Sequence, residues 1–285
     1  MTNITDMLVR ICSGAQYEDD IECRESCLNV LEALASQRSP ILASKAPMIL
    51  DAADAALRYD PNYVGGDEDD EDLELACDDA EADIGDEGEG WSGSDYSDDA
   101  DASWKVRRAA VKVCAAVTSA GVLSLNHCIE RIGLPLISRA NERDETVRVE
   151  IFAALEILFS TIAGDREAHL DTPSDEVMAD AYTEARHNEN STVVVDGLNA
   201  VRARLPLLVR RLRPALTSRS SSIAAGALKL WRALILCLPH DIAPLLQQLV
   251  PALVTMSKEC AIESRVQILA VISAYISGRT PLCEQ

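Results

Sequence analysis

Cysteine is the residue type in this chain that could bind a metal ion or act as a nucleophile. Nine cysteines are present, an odd number, and most lie in apolar runs such as Val113-Cys114-Ala115-Ala116. Cys23 and Cys27 are four residues apart, which places both sulfur atoms on one face of a helix. A tetrahedral zinc site needs two further ligands, and no Cys or His pair at ligand spacing follows. The sequence therefore predicts reduced thiols that pack as small apolar side chains, and no metal site.

The histidines and carboxylates do not form a recognisable catalytic motif. None of the four histidines lies in a nucleophile or zinc-protease motif, and no Gly-rich phosphate loop is present. The carboxylates are densest in one run, where they repel one another and have no fixed geometry. General acid–base catalysis requires positioned groups. We therefore expect no enzymatic activity, no cofactor and no small-molecule substrate.

Arginine is concentrated in one later segment. Between Gly197 and His240 there are eight basic residues and no acidic residue. Guanidinium groups pair with carboxylates, so this segment predicts a docking site for an acidic protein surface. The candidate protein-binding residues are Arg202, Arg204, Arg210, Arg211, Arg213 and Arg219. The open alternative is a solvated rim that flanks a buried helical stripe on both sides. That stripe would consist of Val201, Leu205, Leu208, Val209 and Leu212.

The net charge of −21 originates in one acidic segment. From Asp67 to Asp101 there are 18 acidic and no basic residues, whereas the rest of the chain has 29 acidic and 26 basic residues. Such a segment opposes compaction, so we predict a disordered loop. The loop is either a solvated spacer, or an electrostatic lure or autoinhibitory flap for a basic surface on a partner or on this chain. Ser92, Ser94 and Ser97 lie among these acids, where phosphorylation would add negative charge. We expect no nucleic-acid binding, because the remaining charge is near neutral and no aromatic residues interleave with the arginines.

Composition favours an all-helical core. Hydrophobic residues make up 48% of the chain and aromatic residues only 4%, so the core must consist of Ala, Leu, Val and Ile. No apolar run reaches the roughly 20 residues that span a bilayer. The N-terminus has no signal-peptide pattern. We expect a soluble protein of the cytoplasm and nucleus, with no membrane partner.

Amphipathic helices recur with a regular spacing. The predicted helices are Thr5–Ser13, Asp20–Gln37, Ile41–Arg58, Ser103–Ala120, Val122–Asn141, Asp144–Ala163, Val194–Arg213, Ser220–Leu238, Ile242–Ser257 and Ile262–Ser277. Helix starts near Trp104 and Glu145 are 41 residues apart, as are those near Ser220 and Ala261. Helix pairs that repeat every 40 to 47 residues or so are typical of HEAT and armadillo solenoids. The sequence therefore predicts an all-α, HEAT/armadillo-like solenoid of about four to five helix pairs. An irregular all-α domain is the alternative.

The chain divides into five predicted segments. HEAT-like helices occupy 1–59, the disordered acidic insert 60–102, HEAT-like repeats 103–163, a polar divergent loop 164–192, and further HEAT-like repeats 193–285. Prolines in the predicted helices, at Pro135, Pro206 and Pro251, would bend each helix around the next unit. Ser103 is expected to cap the helix that follows the insert.

The segments on both sides of the insert resemble a known protein family. Tyr59-Asp60-Pro61-Asn62-Tyr63 precedes the acidic run, and Ser103-Trp104-Lys105-Val106-Arg107-Arg108-Ala109-Ala110 follows it. This order resembles an internal portion of the cullin-associated, neddylation-dissociated proteins, which are HEAT-repeat regulators of cullin–RING ubiquitin ligases. Within it, Trp104, Lys105, Arg107 and Arg108 form a family motif that we interpret as structural.

The resemblance implies a non-enzymatic scaffold. It implies binding to unmodified cullin, and a role in assembly and substrate-receptor exchange of Skp–cullin–F-box ubiquitin ligases. The contact is expected on the concave face and in the Arg202–Arg219 region. The alternative is a HEAT-repeat transport or chaperone adaptor whose acidic loop binds basic cargo.

Overall fold

The structure is a computed structural model that describes residues 2–13, 20–38, 40–59, 102–170, 181–246, 250–259 and 262–279. Residues 60–101 lie outside these ranges. The predictions for the acidic insert and its three serines therefore stay predictions.

Helices account for all regular structure in the described residues, in which no strand occurs. They are α1 (Thr2–Ser13), α2 (Ile21–Ser36), α3 (Pro40–Leu57), α4 (Ser103–Ala120), α5 (Leu125–Cys128), α6 (Leu134–Ser138), α7 (Glu145–Leu170), α8 (Ala181–Leu216), α9 (Ser221–Cys237), α10 (Pro239–Leu246), α11 (Val250–Glu259) and α12 (Ile262–Arg279). A π-helical turn, Ile129–Gly133, joins α5 to α6.

The helices stack as two layers. In one layer α2 packs on α4, α4 on α7, α7 on α9, and α9 on α12. The other layer contains α1 and α3, then α5 with α6, then α8, then α10 with α11. Consecutive elements of the two layers pack as pairs, giving five helix pairs in the described part of the chain. This arrangement is the predicted all-α solenoid.

The core runs along the stack and is poor in aromatic residues, as composition predicts. Phe152, Phe159 and Trp231 are the buried aromatic residues of the core, and Ala, Leu, Val and Ile supply most of the rest. Full burial of a large apolar side chain stabilises the fold by roughly 1.5–3 kcal/mol. The small side chains let neighbouring helices approach closely: a Cβ added at Gly133 would lie 2.8 Å from Leu158 Cδ2.

The fifth predicted helix, Val122–Asn141, is wrong as a single α-helix. Ser124 caps a short helix by accepting a hydrogen bond from the His127 amide at 3.4 Å. The helix then widens, and the Leu134 amide donates to the Ile129 carbonyl, a step of five residues. Pro135 has no N–H group, so it cannot donate the usual α-helical hydrogen bond to the carbonyl four residues earlier. The helix accommodates this missing bond with a π-helical turn just before the proline.

Pro135 lies inside the continuous helical run 125–138, directly after the π-helical turn, as predicted. Pro251 lies in α11, whose preceding residues 247–249 are outside the described ranges. Pro206 lies inside α8, as predicted.

The polar segment 164–192 differs from the predicted loop in its described parts. Helix α7 continues to Leu170 and α8 begins at Ala181, so both ends of the segment are helical. Residues 171–180 lie outside the described ranges. Polar composition hides such helical extensions, because a solvent-exposed helix needs no apolar stripe.

The prediction that Ser103 caps α4 is wrong. Ala102 occupies the cap position and makes no side-chain hydrogen bond. Ser103 is buried inside the first turn, where its Oγ accepts a hydrogen bond from Arg107 Nη1 at 2.8 Å. The serine hydroxyl therefore satisfies a buried guanidinium instead of a helix-end amide.

Candidate protein-binding surface

Helix α8 buries the apolar stripe that its sequence predicts. Val201, Leu205, Leu208, Val209 and Leu212 are all buried. The 3.6-residue helical period places the neighbouring arginines on the two flanks of this stripe and on the opposite face. The sequence therefore predicted the orientation of α8 correctly.

Two of the six candidate arginines bind neighbouring repeats. Arg202 Nε pairs with Asp241 Oδ2 at 2.9 Å, which joins α8 to α10. Arg211 Nη1 donates to the Ile137 carbonyl at 3.0 Å and also to the Ser138 carbonyl, which joins α8 to the end of α6. Carbonyl groups at a helix C-terminus lack intrahelical donors, so a guanidinium there stabilises the fold.

Four candidate arginines remain accessible: Arg204, Arg210, Arg213 and Arg219 are exposed. None of them has an ion-pair partner among the residues that the structure describes. Arg210 lies opposite the buried stripe, and Arg219 lies in the short connection between α8 and α9. The available positive charge is therefore centred on the outer face of α8 rather than on all six residues.

The family-motif residue Arg107 is buried and holds the two sides of the acidic insert together. Only 1% of Arg107 is exposed. Its Nη1 donates to the Tyr59 carbonyl at 3.1 Å, just before the insert, and to Ser103 Oγ, just after it. Its Nε lies 3.4 Å from Glu142 Oε2, and Glu142 is itself 7% exposed in its side chain. This network supports the structural interpretation of the motif.

The other motif residues also make contacts within the fold. Arg108 Nε pairs with Glu150 Oε1 at 3.2 Å, which joins α4 to α7. Trp104 is half-buried against the core, and Lys105 Nζ lies 5.9 Å from the centre of its ring.

The sequence reasoning missed a groove that Arg204 shares with two further arginines. The groove, about 380 Å³ in volume, lies between α3, α6 and α8. Arg58, just after α3, and Arg139, just after α6, line it together with Arg204. A signal was available in the sequence, because both arginines lie at the C-terminal ends of predicted helices, Ile41–Arg58 and Val122–Asn141. That signal needed the repeat register to be known.

Several buried cysteines have thiols of lowered acidity. The six cysteines in the described ranges, Cys12, Cys23, Cys27, Cys114, Cys128 and Cys237, form no disulfide. Burial, with a smaller contribution from the negative charge of Asp54, raises the pKa of Cys114 to about 12. Burial alone raises the pKa of Cys128 to about 11. These thiols pack as small apolar groups and are poor nucleophiles at neutral pH.

Within the described ranges, no group of three or more His, Cys, Asp and Glu residues could hold a metal ion. Among the described helices, none is both long enough and apolar enough to cross a lipid bilayer.

Comparison with known proteins shows that this chain is similar to part of several much longer proteins. No model of a protein family matches the chain. Cullin-associated NEDD8-dissociated protein 1 of Drosophila melanogaster is 28% identical over 284 residues, which cover 99% of this chain and 21% of that protein. Cullin-associated NEDD8-dissociated protein 2 of Mus musculus is 31% identical over 275 residues, which cover 96% of this chain and 20% of that protein.

A solved structure of a designed armadillo repeat protein in complex with a (KR)4 peptide aligns with 94% of this chain and 98% of that chain. Its sequence identity is 15% and its TM-score 0.37, so it carries no argument about fold or ligand. The sequence relatives, by contrast, agree with the resemblance seen around Tyr59 and Trp104. The chain is thus similar over nearly its whole length to the cullin-associated NEDD8-dissociated proteins, and it spans about a fifth of the length of these relatives.

Proposed function

We propose that this helical-repeat chain is a non-enzymatic scaffold that binds the cullin of a cullin–RING ubiquitin ligase in its unmodified form. The role that we propose is in assembly and substrate-receptor exchange of Skp–cullin–F-box ubiquitin ligases, in the cytoplasm and nucleus. The observation that carries this proposal is that 96–99% of the chain aligns with proteins named for their association with cullins.

The stack of five helix pairs suits such a role physically. Repeats in a solenoid contact only their neighbours, so the stack offers long surfaces on which a partner contacts several repeats at once. Contacts distributed in this way give affinity without a single deep pocket. Polar contacts within each layer, such as Arg202–Asp241 between α8 and α10 and Arg108–Glu150 between α4 and α7, fix neighbouring repeats relative to each other.

The accessible arginines of α8 are the residues that we propose contact the partner. Arg210, Arg213 and Arg219 are exposed; Arg210 lies on the side of α8 opposite the buried stripe, and Arg213 lies on a flank of it. Exposed guanidinium groups steer an acidic surface during encounter and form bidentate contacts once bound. Arg211 is not proposed as a contact, because its guanidinium is hydrogen-bonded to the end of α6.

A second candidate function is a transport or chaperone adaptor for basic cargo. The observation that favours it is the acidic run from Asp67 to Asp101, with 18 acidic residues and no basic residue. Under this alternative, the acidic insert makes the decisive contact and the arginines of α8 do not.

Two changes of charge distinguish these functions. We expect Arg210→Glu together with Arg213→Glu to weaken capture of unmodified cullin–RING complex in a pull-down. Deletion of 67–101 should leave that capture largely intact. Arg232→Glu is the matched control, because Arg232 is exposed on α9 in the other layer. The reverse pattern, with capture lost only on deletion, would favour the adaptor.

A further inference from the structure

We propose that the groove between α3, α6 and α8 binds carboxylate side chains of an acidic protein segment, with Arg204 and Arg139 as the main contacts. This inference concerns a different surface from the outer face of α8. It does not require the partner to be a cullin, so the two proposals fail independently.

Three guanidinium-bearing residues from three consecutive helix pairs line the groove. Arg58 follows α3, Arg139 follows α6, and Arg204 lies on α8. These residues are 81 and 65 positions apart in sequence, so only the stacking of repeats brings them together. Guanidinium groups that face one open groove are the usual means by which proteins bind carboxylates in a defined orientation.

The carboxylates that line the groove already have partners. Asp54 Oδ2 accepts a hydrogen bond from Arg58 Nη2 at 2.9 Å. Glu130 Oε1 accepts one from Asn126 Nδ2 at 3.0 Å. The acids of the groove are therefore engaged on their own helices, and they leave Arg139 and Arg204 to be neutralised by other groups.

Arg139 and Arg204 are not neutralised by strong pairs of their own. Arg139 Nη1 lies 3.7 Å from Glu142 Oε2, but that carboxylate also pairs with Arg107 Nε at 3.4 Å. Arg204 is exposed and has no ion-pair or hydrogen-bond partner among the described residues. The groove thus has more positive charge than its own acids balance.

The surroundings of Arg139 oppose its positive charge. Burial lowers the pKa of Arg139 from its ordinary value, and the charges of Arg107 and Arg58 lower it further, whereas Glu142 and, more weakly, Asp54 raise it. Arginine stays charged nonetheless, so the repulsion persists until an anion binds. A carboxylate of a partner would offset this repulsion.

The apolar part of the groove indicates a peptide rather than a bare anion. Half-buried Leu134 and Pro135 line it beside the arginines, with buried Leu57 at its base. An aliphatic stem or an apolar neighbour of the acidic residue would cover these side chains. The open shape suits an extended segment that lies across three repeats.

Fluorescence anisotropy with the full chain tests this inference. The probe is a fluorescein-labelled peptide of alternating glutamate and alanine, and the same peptide with glutamine in place of glutamate is the control ligand. We expect the glutamate peptide to bind, with an affinity that falls as salt rises. Arg204→Ala should weaken binding about tenfold, the size of one lost charged hydrogen bond. Arg204→Lys keeps the positive charge but lacks the planar guanidinium group, so it should weaken binding of the peptide less.

Arg232→Ala is the matched control, because it removes an equally exposed arginine from α9. Equal binding of the glutamate peptide to the wild type and to Arg204→Ala would overturn the inference. So would equal binding of the glutamine peptide, or no binding to the wild type. Oligothymidylate that binds as tightly, and is weakened by the same substitution, would overturn the assignment to an acidic protein segment.

Discussion

Arginine has two different roles in this chain, and burial separates them. Arg107 is 1% exposed and is surrounded by acceptors from three segments: Tyr59, Ser103 and Glu142. Among the described residues, exposed Arg204, Arg210 and Arg213 of α8 have no such acceptors, whereas exposed Arg202 pairs with Asp241. A substitution in the first group should change stability, whereas one in the second should change binding.

Arg107→Ala should lower the free energy of unfolding by up to about 3–5 kcal/mol, because it removes the nearer arginine partner of the buried Glu142 carboxylate and the hydrogen bond to the Tyr59 carbonyl. Urea denaturation followed by circular dichroism measures this loss. The matched control is Arg108→Ala, whose ion pair with Glu150 is partly exposed and should contribute less than about 1 kcal/mol. Equal losses for the two variants would contradict the structural role of the Arg107 network.

The acidity of Cys114 gives a prediction about pH. Burial raises its pKa from 9.0 to about 12, so the folded state keeps the proton through a range in which the unfolded state loses it. The stabilisation from Cys114 is complete below pH 9 and is lost progressively as the pH rises towards 12. At pH 10 the loss should be on the order of 1 kcal/mol by this linkage.

A comparison with Cys114→Ala isolates this effect from lysine and tyrosine titration. The difference in unfolding free energy between the wild type and Cys114→Ala should shrink between pH 8 and pH 10. A difference that is constant over this range would show that the folded-state pKa of Cys114 is not raised.

At the scale of elements, the sequence predicted buried stripes well and helix interruptions poorly. The stripe of α8 from Val201 to Leu212 follows from the 3.6-residue period, and burial confirms it. The π-helical turn before Pro135 does not follow from any periodicity, because it depends on one missing amide hydrogen. Likewise, the placement of Arg139 and Arg204 along one groove depends on the stacking of repeats, which local sequence does not encode.

Gly197 is another residue whose role depends on how the helices stack. A Cβ at this position would lie 2.2 Å from Asn126 Oδ1, so an alanine there requires the Asn126 side chain of α5 to move. Gly197→Ala should therefore lower the free energy of unfolding by about 1–3 kcal/mol, the usual cost of overpacking. Thermal or urea denaturation measures this change.

Gly164→Ala is the matched control, because no atom lies within 4 Å of the position of its Cβ. Gly164 lies inside α7, where replacement of glycine by alanine should stabilise the helix by up to about 1 kcal/mol. Asn126→Ala should partly rescue Gly197→Ala. Stabilisation by both glycine substitutions would contradict the close approach of α8 to α5.

At the scale of the whole molecule, the repeat period and the charge distribution both divide the chain into stacked helix pairs and one acidic insert. The helix starts that are 41 residues apart belong to successive pairs of one stack, and the acidic run lies between the second pair's two helices, α3 and α4. Composition, period and the absence of catalytic motifs were sufficient to predict this architecture. The number of accessible arginines was not predictable, because the contacts of Arg202 and Arg211 are with helices that are distant in sequence.

The central claim, that this chain is a cullin-binding scaffold, is tested most directly by capture of purified cullin–RING complex on the immobilised chain. One sample contains unmodified complex and the other contains the same complex bearing its ubiquitin-like modifier. We predict capture of the unmodified complex and much weaker capture of the modified one. Capture of neither complex, or equal capture of both, would contradict the claim.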